Sequence, residues 1–272
     1  MGYKDTVDLH VHTDNSPDAN HSATLMCEKA CEKGLRAIAI TDHCECDAYK
    51  SERYDLSTRQ SVFEAVKAKR FFTGELIVLA GIELGQPLHN LEAASDALKN
   101  PLDFVLASNH TLTTHKEDFF YLDYTLPENN PDKLFMQYLN DIDNIIDWGN
   151  FDSLAHLTYP LRYIVEREKI PFELGKYMAY IEDILKKLAK NGKALEINTS
   201  GLRHENGTTM PPFSMVKLFK EVGGEYITIG SDCHSCNDIG NGVDKAYDMA
   251  KQAGFDFVTI YMQRAPIAVS IK

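Results

Sequence analysis

Long apolar runs are missing from this sequence. No stretch of about 18 consecutive apolar residues exists, so no segment reads as a membrane-spanning helix. A basic surplus is missing as well: 28 Lys and Arg stand against 40 Asp and Glu, for a net charge of −12. Nucleic acid and anionic membranes both call for a basic surface, so neither is an expected partner. No charged, apolar and cleavable leader precedes the first strand candidate, which begins near Thr6, and the expected compartment is the cytoplasm. Paired cysteines at zinc-knuckle spacing are absent too. Of Cys27, Cys31, Cys44, Cys46, Cys233 and Cys236, the last two form a C-x-x-C spacing with no second pair, and free thiols are expected. No linker-like shift in composition interrupts the chain, which reads as one domain over residues 1–272.

What is present is a soluble-protein composition, 44% hydrophobic and 25% charged, on a chain of 272 residues. That length is ordinary for a single α/β barrel. Short runs rich in Ile, Val and Leu recur at residues 7–11, 35–40, 76–80, 102–107, 151–155, 194–198 and 226–229. Such runs suit strands buried on both faces. Helical stretches fall between them, near residues 22–33, 57–70, 91–98, 131–148, 172–189 and 213–222. A further helix near 243–253 and a strand near 255–262 end the chain. Ser22 or Thr24 can cap the first helix, Gly34 ends it, and Pro131 opens the fourth. Strand alternating with helix about seven times implies a parallel sheet with helices outside. An open doubly wound sheet would use one crevice, whereas here nearly every strand ends in a polar residue. That favours a closed barrel with its site at the C-terminal face.

Those strand ends carry the chemistry. In Asp8-Leu9-His10-Val11-His12 the two histidines point the same way, because side chains alternate along a strand. Two imidazoles so placed can chelate one divalent ion. The second strand closes on Thr41-Asp42-His43, the third on Glu83, the fourth on His110 and the fifth on His156. The seventh closes on Gly230-Ser231-Asp232-Cys233-His234, and the loop after the first strand adds Asp18 and His21. A lone histidine at a strand end is more often a hydrogen-bonded structural residue. Repetition at six strands in one chain argues for a shared site. Imidazole and carboxylate without cysteine pairs suit zinc, manganese or iron, and the mixture suggests more than one ion.

These motifs resemble the four motifs of the PHP (polymerase and histidinol phosphatase) family over residues 8 to about 234. The length, with no appended polymerase, is similar to that of the stand-alone histidinol-phosphate phosphatase branch. The resemblance implies an α/β fold, a distorted (β/α)7 TIM-like barrel. It implies three divalent metals, Mn, Fe or Zn. The first would be held by His10, His12, Glu83 and Asp232, and the second by Glu83, His110 and His156, with Glu83 bridging. The third would be held by Asp18, His43 and His234, with His21 a nearby rival to Asp18. Three divalent ions carry +6 against −3 from Asp18, Glu83 and Asp232, so the site would be net positive and suited to a phosphate monoester. Arg162 and Arg203 resemble the phosphate-binding arginines of that branch, whose planar forks match phosphate oxygens. A solvated loop arginine is the alternative for each.

The expected reaction is hydrolysis of L-histidinol phosphate, a step of histidine biosynthesis. The rivals are a PHP-type nucleotide or phosphotyrosine phosphatase, a 3′-exonuclease that the acidic charge disfavours, and a non-catalytic barrel module. Asp42 is expected to orient a ligand, and Glu196 to point inward toward the same purpose. Cys233 should face away from the metals, His89 and His115 should lie on surface loops, and His204 is a neighbour of Arg203 without an assigned role. The long aromatic segment 111–130 reads either as a lid or substrate-side wall, or as a loop docked on the barrel rim. Oligomeric state is not legible.

Overall fold

The first strand, β1 (Val7–Val11), is buried along its whole length, polar residues included. A strand covered on both faces must lie in the middle of a molecule, and the pairing explains how. The computed structural model, which describes residues 5–115, 117–204 and 207–271, sets β1 parallel to β2 (Ala37–Ile40). The next segments are β3 (His43–Glu45) and β4 (Ile77–Gly85), and both β2 and β3 pair with β4. Their registers run Ala37↔Ile77 to Ile40↔Ala80 and then His43↔Glu83 to Glu45↔Gly85. β2 and β3 are thus one strand interrupted at Thr41-Asp42. The sheet continues in parallel through β5 (Phe104–Ser108), β6 (Ser153–Leu154), β7 (Ala194–Asn198) and β8 (Ile227–Gly230). Counting β2 with β3, seven parallel strands wind in chain order.

The ring shuts through a seam between β8 and β1. Asp232 N donates to His10 O at 2.8 Å, and His12 N donates to Cys233 O at 3.0 Å. The carboxylate of Asp8, itself fully buried, reinforces the seam. It accepts from Ser231 N (2.8 Å), Ser231 Oγ (2.5 Å) and Gly240 N (2.8 Å). Burial pushes the Asp8 pKa up, against the lowering effect of these bonds. The result is a TIM-like (β/α)7 barrel, distorted where β6 shrinks to two residues.

Helices pack outside: α1 (Ala23–Glu32), α2 (Tyr54–Phe71), α3 (Leu91–Ala97), α4 (Pro131–Trp148), α6 (Met178–Lys190), α7 (Phe213–Glu221) and α8 (Val243–Ala253), while the one-turn α5 (Tyr159–Leu161) follows β6 at the polar strand ends. Local chemistry places their ends. Ser22 caps α1 by accepting from Leu25 N, and Asn130 caps α4 by accepting from Lys133 N with Pro131 following. Gly149 ends α4 at φ +69°, a conformation that suits glycine. The inner face of α4 buries Leu134, Phe135, Tyr138, Leu139, Ile142, Ile145 and Ile146, a helical stripe directed at the sheet. No helix of the described residues is long and apolar enough to cross a membrane.

Several boundaries differ from the sequence reading. The run at 76–80 extends through Gly85, because β3 gives its second half a partner. The expected helix 57–70 starts three residues earlier, at Tyr54. Between β6 and the next long helix, where the sequence showed no element, α5 continues into a π-helical stretch, Arg162–Arg167. The last strand, β9 (Phe257–Met262), turns back as β10 (Ala265–Ser270). This hairpin sits at the N-terminal ends of β5 and β6. Arg264 N donates to Asp103 O at 2.9 Å, and the Tyr261 ring stacks on Phe104 at 5.4 Å. It floors the barrel end opposite the polar strand ends.

Candidate metal centre

Parallel register delivers the polar strand ends to one place. His43 lies directly beside Glu83, which lies beside Leu106 on β5, and β1 is brought next to Asp232 by the seam. Four side-chain atoms then converge. His10 Nε2 is 3.5 Å from Glu83 Oε2 and 3.7 Å from Asp232 Oδ1, and His12 Nε2 is 3.6 Å and 3.4 Å from the same two atoms. The edge of a tetrahedron with metal–ligand bonds of 2.0–2.2 Å is about 3.3–3.6 Å, close to these spacings, and His10, His12 and Glu83 form a group able to hold one ion, with Asp232 beside both histidines. His10 Nε2, His12 Nε2 and Glu83 Oε2 are all buried and have no hydrogen-bond partner. Buried polar atoms are rarely left so, and their clustering is what a divalent cation would satisfy.

The other oxygen of Glu83 faces a different pair. Oε1 lies 3.2 Å from His110 Nε2 and 2.9 Å from His156 Nε2. A third group gathers on the outer side. Asp18 Oδ2 is 3.2 Å from His234 Nε2, Asp18 Oδ1 is 3.7 Å from His43 Nε2, and the His12 ring lies 4.1 Å from that of His234. His43 leans both ways, its Nδ1 standing 2.8 Å from Glu83 Oε2. All nine residues of the expected ligand set are therefore in one cluster. His21 is placed elsewhere, with Nδ1 accepting from Cys236 N at 3.3 Å.

Mutual electrostatics set the protonation of these groups. Burial alone would favour neutral imidazoles. At His10 the carboxylates of Glu196, Asp232 and Glu83 overcome it and raise the pKa well above the ordinary value. Glu83, Asp18 and Glu45 do the same at His43, and Glu45 and Glu83 at His110. His12 goes the other way, lowered by burial and by the neighbouring His234 and His43. Burial would raise Glu83, yet His110, His10 and His43 hold it well below the usual carboxylate range; Asp232 is likewise held low, mainly by His10.

The ligands are themselves held. Glu196 Oε1 is 2.7 Å from His10 Nδ1, while its Oε2 accepts from His156 N at 2.8 Å. A Cβ at Gly230 would stand 2.3 Å from His10 Cβ, so only glycine lets β8 approach this ligand. Asp42 touches no ligand's imidazole. It accepts from Thr13 N, Thr13 Oγ1, Ser61 Oγ and Ser16 Oγ, and Ser16 Oγ in turn lies 3.0 Å from His12 Nδ1. Its reach is thus to His12 through Ser16 rather than to the adjacent His43 ring. Two ligands have unusual backbones: Asp232 at φ +53° and His156 at φ +21°, of which the second is the more strained for a residue with a Cβ.

The sequence reading missed Ser16 and Glu45. Glu45 Oε1 lies 3.0 Å from His110 Nδ1 and 3.2 Å from His43 Nδ1. Its only signal was alternation: Glu45 shares a face with His43 if the residues after Asp42 are extended.

Around the cluster stand the residues read as substrate-side. Arg203 Nη1 and Nη2 donate to the carbonyls of Ser231 (2.6 Å) and Asp232 (2.9 Å), fixing its guanidinium against the ligand-bearing loop. Arg162 Nη2 is 3.1 Å from His204 Nε2. Partial burial lowers the His204 pKa, and Arg162 and Arg203 push it further down. In the segment 111–130, Phe119, Leu122 and Tyr124 are buried, and Arg167 spans from the π-helical stretch to Phe120 O and Leu122 O (3.5 Å for the latter). This docks the segment on the barrel rim. Tyr159 lines it, with its ring 5.0 Å from those of both His110 and His156 and its hydroxyl on Asp118 at 3.0 Å. Cys233 is fully buried in the hydrophobic core, His89 is 3.9 Å from Asp47, and His115 meets Thr114.

A parallel barrel with a His/carboxylate cluster able to hold metal at the C-terminal strand ends defines a metal-binding hydrolase-type scaffold. The family model for the PHP domain matches residues 8–200, and the chain belongs to the PHP family. It is 28% identical to a protein of Thermotoga maritima named probable histidinol-phosphatase, over 93% of this chain and 95% of that one. It is also 28% identical to the histidinol-phosphatase of Lactococcus lactis, over 92% and 91%. Among solved structures, the histidinol phosphate phosphatase of Lactococcus lactis, complexed with zinc, L-histidinol and phosphate, superposes with a TM-score of 0.79. That match is at 22% identity and covers 97% of this chain and 99% of that one.

Proposed function

We propose that this chain, as a single PHP-type domain, is a metal-dependent phosphomonoesterase that hydrolyses L-histidinol phosphate to L-histidinol and phosphate. The observation that carries the reading is the convergence of His10, His12, Glu83 and Asp232 at metal-ligand spacing with unpartnered buried atoms. The names of the relatives, matched over most of their length, supply the substrate. Three sites are supported by the three groupings: His10, His12, Glu83 and Asp232; Glu83, His110 and His156; and Asp18, His43 and His234. The donor set of imidazoles and carboxylates without thiolate suits zinc, manganese or iron. Divalent ions bound there would lower the pKa of a water toward neutrality and neutralise phosphate charge.

The protein's own contribution is positioning. Arg203, anchored on the Ser231 and Asp232 carbonyls, and Arg162 would present planar donors to the phosphate oxygens. The packed rings of Tyr159, Phe119 and Tyr163 would limit water on the far side. An acidic protein with this one cationic site would select a small anionic ester, not nucleic acid, and the proposed compartment is the cytoplasm.

The test is phosphate release from L-histidinol phosphate against AMP, phosphotyrosine and p-nitrophenyl phosphate, each with manganese and with zinc. A strong preference for histidinol phosphate supports the proposal. Indifference, or preference for a nucleotide, overturns the substrate while leaving the metal centre standing. Protein that binds no metal and releases no phosphate overturns both.

A further inference from the structure

Two carboxylates in the cluster belong to none of the three ligand groups: Glu196, on His10, and Glu45. Glu45 sits on β3, two residues after His43, with its side chain only 14% exposed. Its Oε1 is within hydrogen-bond reach of His110 Nδ1 at 3.0 Å. Its Oε2 accepts from Gln86 Nε2 at 2.7 Å. Gln86 closes the loop: its Oε1 accepts from His110 N at 2.9 Å, so one amide grips both the carboxylate and the backbone of the histidine. Gln86 is 1% exposed and holds a left-handed backbone at φ +43°, which commits the chain to this grip at a conformational cost. The adjoining Gly85 is required by the same seat, since a Cβ there would lie 2.0 Å from Glu45 Oε2.

We propose that Glu45, locked by Gln86, is a positioning carboxylate for His110. With the Nδ1 proton donated to Glu45, the ring is fixed as the tautomer whose Nε2 lone pair faces Glu83 Oε1, 3.2 Å away. A carboxylate behind an imidazole ligand also raises its basicity. Glu45 therefore strengthens the site shared by Glu83, His110 and His156, and leaves the His10–His12 site largely alone. The inference rests on the metal-centre reading above.

The experiment titrates metal-free protein with zinc against a chromophoric chelator, for the unaltered chain, Glu45→Gln and Glu45→Ala. Circular dichroism of each metal-free protein checks the fold, and Glu45→Gln, which keeps shape and an acceptor oxygen, carries the test if Glu45→Ala misfolds. The zinc site that includes His110 should weaken by roughly 10- to 100-fold in Glu45→Ala, and by less in Glu45→Gln, with the His10–His12 site unchanged and a smaller loss at the site of His43, whose Nδ1 lies 3.2 Å from Glu45 Oε1. Cobalt substituted for zinc should show a changed visible spectrum in the same variants, which a purely structural effect would not produce. Unaltered affinity and spectrum in both variants would overturn the role of Glu45, as would an equal loss at every site. An unaltered chain that binds no zinc would instead overturn the centre itself.

Discussion

Glu83 is the residue on which the cluster turns, since its two oxygens face two different histidine pairs. Glu83→Ala should lower bound metal by at least one equivalent in elemental analysis and reduce turnover by about 10²-fold or more, because removing one preorganised charge commonly costs that much. Arg203→Ala should separate the two effects. It leaves the ligands in place, so metal content should hold while kcat/KM falls by about 10²-fold; Arg203→Lys should not restore it, as a lysine lacks the planar fork. Normal turnover in Arg203→Ala would remove Arg203 from the phosphate site. The nine residues of the proposed ligand set stand out in the sequence because all but Asp18, which lies in the loop after the first strand, are polar ends of apolar runs. Of the residues around them, Asp42 and Glu196 were singled out from the sequence, while Ser16 shows why others were not. A hydroxyl in a loop carries no pattern, and Asp42 works across space on His12 rather than on the histidine next to it.

Among the elements, the seam between β8 and β1 has the least ordinary construction. Only short stretches of backbone pair there, and the buried Asp8 carboxylate joins β1 to Ser231 and Gly240. Asp8→Ala would leave the Ser231 and Gly240 N–H groups, and the more weakly bonded His10 N–H, without that acceptor, at about 1–3 kcal/mol each where they stay dry. The melting temperature of the variant should therefore fall by several degrees, and a melt matching that of the unaltered chain would show that the seam does not depend on Asp8. The comparable loss for a core truncation such as Leu139→Ala, on the inner face of α4, is about 2–5 kcal/mol. Strand order was legible from the repeated alternation of apolar run and helix. The split of β2 from β3 and the β9–β10 hairpin were not. The first arises from tertiary hydrogen bonds to Asp42, and the second from contacts to Asp103 and Asp152 on distant strands.

For the whole molecule, the cluster couples folding to both protons and metal. In the metal-free chain His10, His43 and His110 have pKa values raised above 6.5 by the carboxylates around them. A group raised on folding stabilises fully below its unfolded value and loses that contribution as pH rises through its folded value. Glu83 and Asp232 are depressed below 4.5 and 3.8, so theirs is present above those values and fades as pH falls. The metal-free protein should accordingly melt highest between about pH 4.5 and 6.5, where both contributions are in force, and lose stability toward alkaline pH. Zinc reverses that slope. An ion needs neutral imidazoles, so binding must expel the protons held by the three raised histidines, and its affinity should climb with pH beyond the point where free histidine is already neutral. Calorimetric zinc titrations at pH 7 in buffers of different ionisation enthalpy count the protons directly. More than one proton released per protein is expected, with none from His12, which is already neutral. Release of none would mean that the carboxylates do not hold the histidines charged, and the alkaline loss of stability in the metal-free protein should then vanish with it.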